Sequence, residues 1–123
     1  MKSFSICLLA VSLCIGSAVT LASDLTIKTV AEVYQEKDSL KGQQVQIRGK
    51  IVKVNNQIMN RNFLHIQDGT GKEGSNDLTV TSQDTAMVAD EVIITGTVSL
   101  NVDFGSGYMY PLLIEKATIT KAK

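Results

Sequence analysis

Residues 45–52 read VQIRGKIV, and the alternation in that stretch decides the fold. Val45, Ile47, Gly49 and Ile51 fall on one side of an extended chain, with Gln46, Arg48 and Lys50 on the other. A period of two is that of a strand with one face in a core. A glycine inside such a strand weakens it, so Gly49 marks a bend, a bulge or the close approach of another backbone. The same grammar returns at residues 92–99, VIITGTVS, again with a glycine four positions after the first valine. Two long strands bent at Gly49 and Gly96 do the same geometric job.

Upstream, a short extended lead (residues 24–28) precedes Thr29-Val30-Ala31-Glu32, which fits a capping box: a threonine hydroxyl to accept an early amide proton and a glutamate to reach back. Val30, Val33 and Tyr34 share one helical face, and Gly42 closes the helix near Leu40-Lys41. Downstream, residues 62–68 form a strand, residues 68–71 (DGTG) a turn, KEGSN (72–76) a polar tip, and residues 77–82 another strand. Residues 82–90 are predicted to form a turn or two of helix capped by Asp84, with Met87 and Val88 inward. A last strand over residues 112–120 follows a loop over residues 101–111. The sum is an all-β chain with short helices: a five-stranded OB-fold barrel, an N-terminal helix, and a short helix between strands three and four. A small β-sandwich is the alternative.

The chain opens with a basic head, Met1-Lys2, an apolar run over residues 4–21 and a small-residue exit at Ala22-Ser23. This is the pattern of a secretory signal peptide (residues 1–22) followed by a single domain (residues 23–123). A lipoprotein reading through Cys14 is the alternative, against which stands Leu13 where a small residue is needed. The only cysteines, Cys7 and Cys14, fall inside the segment to be removed, so the domain has no disulfide, thiol nucleophile or thiolate metal site. Removing Lys2 from the 12 basic residues leaves 11 against 12 acidic ones, which gives no whole-domain attraction for polyanions.

The single histidine lies in RNFLHIQDGTG, residues 61–71. Leu64 and Ile66 make the better core face, which sends Phe63, His65 and Gln67 to the outer wall. In an OB fold, strands two and three with the loops after strands one and four form the usual binding surface. Here those loops are residues 55–60 and the segment carrying Phe104, Tyr108 and Tyr110. The predicted contact surface is therefore Phe63, His65, Gln67, Tyr108 and Tyr110 with Arg61 at the rim: aromatic area, an imidazole, and a guanidinium for anions.

Two alternative ligands fit parts of the pattern. Met59, Met87 and Met109 with His65 supply thioether and imidazole donors suited to Cu(I) or Ag(I). Arg48, Lys50, Lys53 and Arg61 follow a phosphate backbone while Phe63, Tyr108 and Tyr110 stack bases, the pattern of single-stranded nucleic-acid binding. Neutral net charge and export both weigh against the second. Catalysis is not expected. Asp103-Phe104-Gly105 lacks every companion of the kinase motif, residues 104–107 lack the order of a nucleophile elbow, and Asp68 and Asp77 lack the alternation of a calcium loop. No nucleophile–base pairing is apparent.

The runs IMNRNFLHIQDGTG (58–71), NDLTVTS (76–82) and DFGSGYMYPLLIEKA (103–117) resemble a group of small exported bacterial OB-fold proteins labelled DNA-binding or nitrite-reduction-related (NrfJ-like). The resemblance spans nearly all of the exported chain, with Asn60 and Phe63 where the group has Gly and Trp. It implies a periplasmic or secreted accessory of anaerobic respiration. Together these readings describe an exported, non-catalytic OB-fold binding module without a cofactor, whose partner is an unidentified protein or small ligand.

Overall fold

The computed structural model describes residues 25–122. The segment expected to be a signal peptide and both cysteines lie outside the described residues. The elements are β1 (Thr26–Ile27), α1 (Val30–Gln35), α2 (Lys37–Leu40), β2 (Gln44–Ile58), β3 (Arg61–Gln67), β4 (Leu78–Ser82), β5 (Glu91–Asp103) and β6 (Met109–Lys121). No helix among these residues is long and apolar enough to cross a membrane.

The fold is mostly strand, as the period of two required. β2 pairs antiparallel with β3, β3 with β4, and β5 with both β2 and β6, while β4 and β6 run parallel. These pairings pass round a partly closed ring of five strands. The sixth, β1, is the extended lead; it adds to the edge of β2 in parallel, a pairing the sequence did not announce. The β4–β6 seam is thin, with Val80 opposite Ile114 and Ser82 opposite Ala117 across a register shift.

Val45, Ile47 and Ile51 of β2 are buried, as are Leu64 and Ile66 of β3, Leu78 and Val80 of β4, Val92, Ile94 and Val98 of β5, and Ile114 of β6. Val30, Val33 and Leu40 close over this core from the helices. The two strand glycines are there because other backbone lies against them. A Cβ on Gly49 would stand 2.6 Å from the carbonyl oxygen of Gln67. One on Gly96 would stand 2.6 Å from Ile114 Cγ2 and 3.0 Å from the Glu115 oxygen. Each strand shifts register beside its glycine, β2 between Ile51 and Lys53 and β5 between Thr95 and Thr97. These shifts are the bulges that bend long strands into a curled sheet.

The capping box is formed as read: the Thr29 hydroxyl accepts from the Glu32 amide, and the Glu32 carboxylate accepts from the Thr29 amide. The helix itself breaks at Glu36 into two short pieces. The DGTG turn has a structural role. Asp68 Oδ2 accepts from Val30 N at 2.9 Å and Thr70 Oγ1 accepts from Ala31 N at 3.0 Å, so this turn satisfies the first amides of α1.

Three expectations are corrected. No helix forms between β4 and β5. Asp84 spends its carboxylate on the Ile119 amide, Ala89 donates to the Ile51 carbonyl, and Asp90 accepts from the Ile51 amide through its own carbonyl. With the backbone of Ala89 and Asp90 bonded to β2 and the Asp84 side chain to β6, the strap makes one turn bond of its own, from the Asp90 amide to the Met87 carbonyl, in place of a helical ladder. Met87 and Val88 consequently point outward, 73% and 60% exposed. The segments expected as loops over residues 55–60 and 101–111 are mostly strand. β2 runs to Ile58 and meets β3 through Met59-Asn60, and β5 and β6 leave only residues 104–108 as a turn.

Candidate functional site

The longer hairpins matter because they build a cleft. On the outer face of β2 and β3, Lys53 stands opposite His65 and Asn55 opposite Phe63. The next strand continues the row, with Thr79 beside His65 and Thr81 beside Phe63. The β5–β6 hairpin folds over this face, and its Phe104 and Tyr110 rings close on Phe63. Ring centroids are 5.6 Å apart for Phe63–Phe104, 5.7 Å for Phe63–Tyr110 and 5.9 Å for Phe104–Tyr110. Edge-on and tilted contacts at these separations are the favourable arrangements of aromatic quadrupoles.

Phe63 is 4% exposed as a result, so the expectation of an open aromatic strip is corrected: Phe63 is packed under the hairpin. The remaining space is a cleft of about 480 Å³ lined by Lys53, Asn55, Ile58, Phe63, His65, Tyr108 and Tyr110. Its volume lies within the range of small-molecule sites. Tyr108, at the hairpin tip, is 51% exposed. The tip is fixed by the Phe104 amide donating to the Tyr108 carbonyl, the Tyr108 amide donating to the Gly105 carbonyl, and the Gly105 amide donating to Asp103.

His65 is held from behind. Its Nδ1 lies 2.6 Å from Asp77 Oδ1, and the other oxygen of Asp77 accepts from Gln67 Nε2 at 3.0 Å. Tyr34 on α1 donates its hydroxyl to the Asp77 backbone carbonyl at 2.5 Å. Burial, and then the nearby Asp77 charge, hold the Tyr34 phenol above its ordinary value. A carboxylate oxygen can only accept, so the imidazole donates from Nδ1 and turns Nε2 away from Asp77. Among the described residues, Nε2 has no partner, and the ring lines the cleft. The Lys53 ammonium likewise has no ion-pair partner among them.

The turn opposite the hairpin is strained and braced. Gln57, Met59 and Asn60 all have positive φ (64°, 53° and 67°). The amide freed at the Gln57 bulge donates to Asn62 Oδ1, and the Asn62 side chain, nearly buried, donates to the Asp84 carbonyl. Asparagine tolerates the left-handed backbone at position 60 that glycine adopts most easily.

Of the predicted contact residues, Phe63, His65, Tyr108 and Tyr110 line one cleft, and Arg61 and Gln67 do not. Arg61 lies over the Phe104 ring at 4.8 Å and lines a different concavity with Asp84, Glu115 and Lys116. Gln67 is a support for Asp77 and borders another concavity, about 620 Å³, with Arg48, Lys50, Asp68 and Glu91. The basic residues of the nucleic-acid reading are thus divided, with only Lys53 beside His65. Met59 and Met109 are outside the cleft lining and Met87 projects from the β4–β5 strap. No group of three or more histidine, cysteine, aspartate or glutamate side chains suited to a metal ion occurs among the described residues. Sequence reading puts Asn55 and Ile58 in a binding-surface loop without singling them out, and weighs Asp77 only as a calcium ligand, not as the partner of His65. Alternation carried on from Ile51 would send Asn55 to the core face, and only the register shift between Ile51 and Lys53 turns it outward; nothing local links Asp77 to a histidine across a turn.

No family model matches the chain, and no curated protein does. Among solved structures it is similar to the OBody AM3L09 bound to hen egg-white lysozyme, with a TM-score of 0.54 and 15% identity over 78% of this chain and 95% of that one. It is also similar to an aspartyl-tRNA synthetase from Leishmania major Friedlin, with a TM-score of 0.54 and 14% identity over 87% of this chain but only 23% of the synthetase. At such identities the likeness speaks for the fold alone, and the fold it supports is this mostly-β, partly closed arrangement of strands.

Proposed function

We propose that the chain is an exported OB-fold binding module that performs no chemistry and holds a small ligand in the Lys53–His65–Tyr108 cleft. In OB terms β2 to β6 are strands one to five, and the cleft lies on the outer face of strands one and two beneath the hairpin of strands four and five. It shares strand two and the strand four–five hairpin with the surface on which the fold ordinarily binds oligonucleotides and oligosaccharides. The observation that carries the proposal is the His65–Asp77 pair: a positioned imidazole with an open Nε2, facing a cleft walled by aromatic rings. Orienting an imidazole costs a carboxylate and an ordered turn, and core packing has no use for the exposed nitrogen. A fold alone does not name a ligand, so the site does the arguing.

The resemblance to NrfJ-like exported proteins supports reading the module as a periplasmic accessory of anaerobic respiration. The test is ligand capture from a small-molecule extract of anaerobically grown cells, with wild-type protein against Tyr108→Ala and His65→Ala. Compounds retained by the wild type and lost by both variants support the proposal; compounds retained equally by all three contradict it. Single-stranded nucleic acid is the second reading, favoured only by Lys53 standing beside an exposed Tyr108. It requires affinity that falls steeply with salt.

A further inference from the structure

We infer that the cleft selects a hydroxylated organic anion, its carboxylate or phosphate on Lys53 and a neighbouring hydroxyl on His65 Nε2. The inference rests on the reading of the cleft as a ligand site and adds the chemistry of the ligand.

Charge is the first argument. The chain as a whole is neutral by formal count, and two other concavities mix signs: Arg48 and Lys50 with Asp68 and Glu91, and Arg61 and Lys116 with Asp84 and Glu115. The His65 cleft has a lysine and no carboxylate in its lining. Asp77, the acid behind the imidazole, has one oxygen on His65 and the other on Gln67, so its charge is engaged away from the opening. Lys53 meets no acidic partner among the described residues. An exposed ammonium at such a cleft attracts an anion, and no carboxylate in the lining opposes it.

The second argument is polarity at the imidazole. With Nδ1 donating to Asp77, a neutral ring presents the Nε2 lone pair, which accepts and repels an oxyanion. A bare anion therefore satisfies Lys53 and leaves Nε2 unmatched. A ligand with a hydroxyl beside its anionic group matches both, since the hydroxyl donates to Nε2 while the oxyanion accepts from the ammonium. Lys53 and His65 are direct cross-strand neighbours, so the two groups belong to one small molecule. Tyr108, half exposed at the rim, offers a face for the carbon skeleton.

The experiment uses the single histidine as its probe. Its ring resonances are followed while full-length exported protein is titrated, at mildly alkaline pH, with glucuronate, glucose 1-phosphate, glucose and acetate. Glucuronate or glucose 1-phosphate is expected to shift them saturably, and the stronger of the two identifies the oxyanion. Glucose and acetate should each bind at least about tenfold more weakly, the loss of one well-placed polar contact. Lys53→Gln should weaken the anion at least about tenfold and Lys53→Arg should restore most of it, as expected for a charge-assisted contact. Glucose binding as tightly as glucuronate, with Lys53→Gln unchanged, overturns the inference while leaving the cleft a ligand site. Acetate matching glucuronate overturns the role of Nε2. Absence of a saturable shift with any of the four up to about 50 mM also overturns it, at affinities too weak to be specific. The capture experiment, which assumes no ligand class, then decides separately whether the cleft binds anything.

Discussion

His65 and Asp77 meet across the turn that joins β3 to β4, with Nδ1 and Oδ1 2.6 Å apart. Twelve positions separate the two residues in the chain. The contact exists because β3 and β4 pair in a register that puts His65 opposite Thr79, which brings the residue before Leu78 alongside the imidazole. Asp77→Ala is expected to release the ring. In the wild type the neutral imidazole carries its proton on Nδ1, and in the variant it shifts toward the Nε2–H form; nitrogen chemical shifts distinguish the two. An unchanged tautomer in Asp77→Ala would show that the pair does not orient the ring.

The glycines predict a second outcome. Gly49→Ala must push a methyl group against the Gln67 carbonyl, and Gly96→Ala against Ile114 and the Glu115 carbonyl. Backbone atoms cannot swing aside as a side-chain tip does. Each substitution should cost about 1–3 kcal/mol of overpacking strain, read as a lower urea midpoint at constant slope.

A third concerns the turn DGTG. Asp68→Ala leaves the Val30 amide without its acceptor and removes a negative charge from the start of α1. The expected loss is about 1–2 kcal/mol in urea unfolding, with α1 amides exchanging faster than those of β5.

Alkaline pH supplies a fourth. The Tyr34 phenol is held above its ordinary value in the fold by burial first and then by Asp77. A proton bound more tightly in the folded state contributes stability that is complete below the ordinary tyrosine value. That contribution is lost as pH rises through the raised one. Stability should therefore fall above about pH 10 more steeply in the wild type than in Tyr34→Phe. The variant also gives up about 1 kcal/mol at neutral pH with the hydrogen bond to the Asp77 carbonyl. Parallel pH profiles for the two proteins would contradict the assignment.

Much of the fold was legible because its signals are local. Alternation over VQIRGKIV and VIITGTVS, the capping box at Thr29 and the two interior glycines each announce themselves within a few residues, and the structure uses each as announced. The strap over residues 83–90 was misread because its composition permits a helix while the decisive bonds, Asp84 to Ile119 and Ala89 to Ile51, are made to distant strands. Tertiary partners override weak propensity in so short a segment. The same limit applied to the site. Alternation placed His65 on the outer face, and it placed Phe63 there too, but not the hairpin that covers it. Extending β5 and β6 by a few residues carries Phe104 and Tyr110 over Phe63, separates Arg61 from the imidazole and brings Tyr108 to the rim.

The central claim is that one cleft, between the β2–β3 face and the β5–β6 hairpin, receives the ligand. Backbone amide shifts, mapped while the captured compound is titrated into the protein, test it most directly. The account predicts the largest shifts at Lys53, Asn55, His65 and Tyr108, saturating together with one affinity. Shifts gathered instead around Arg48, Lys50 and Thr70, or around Arg61 and Lys116, would contradict it.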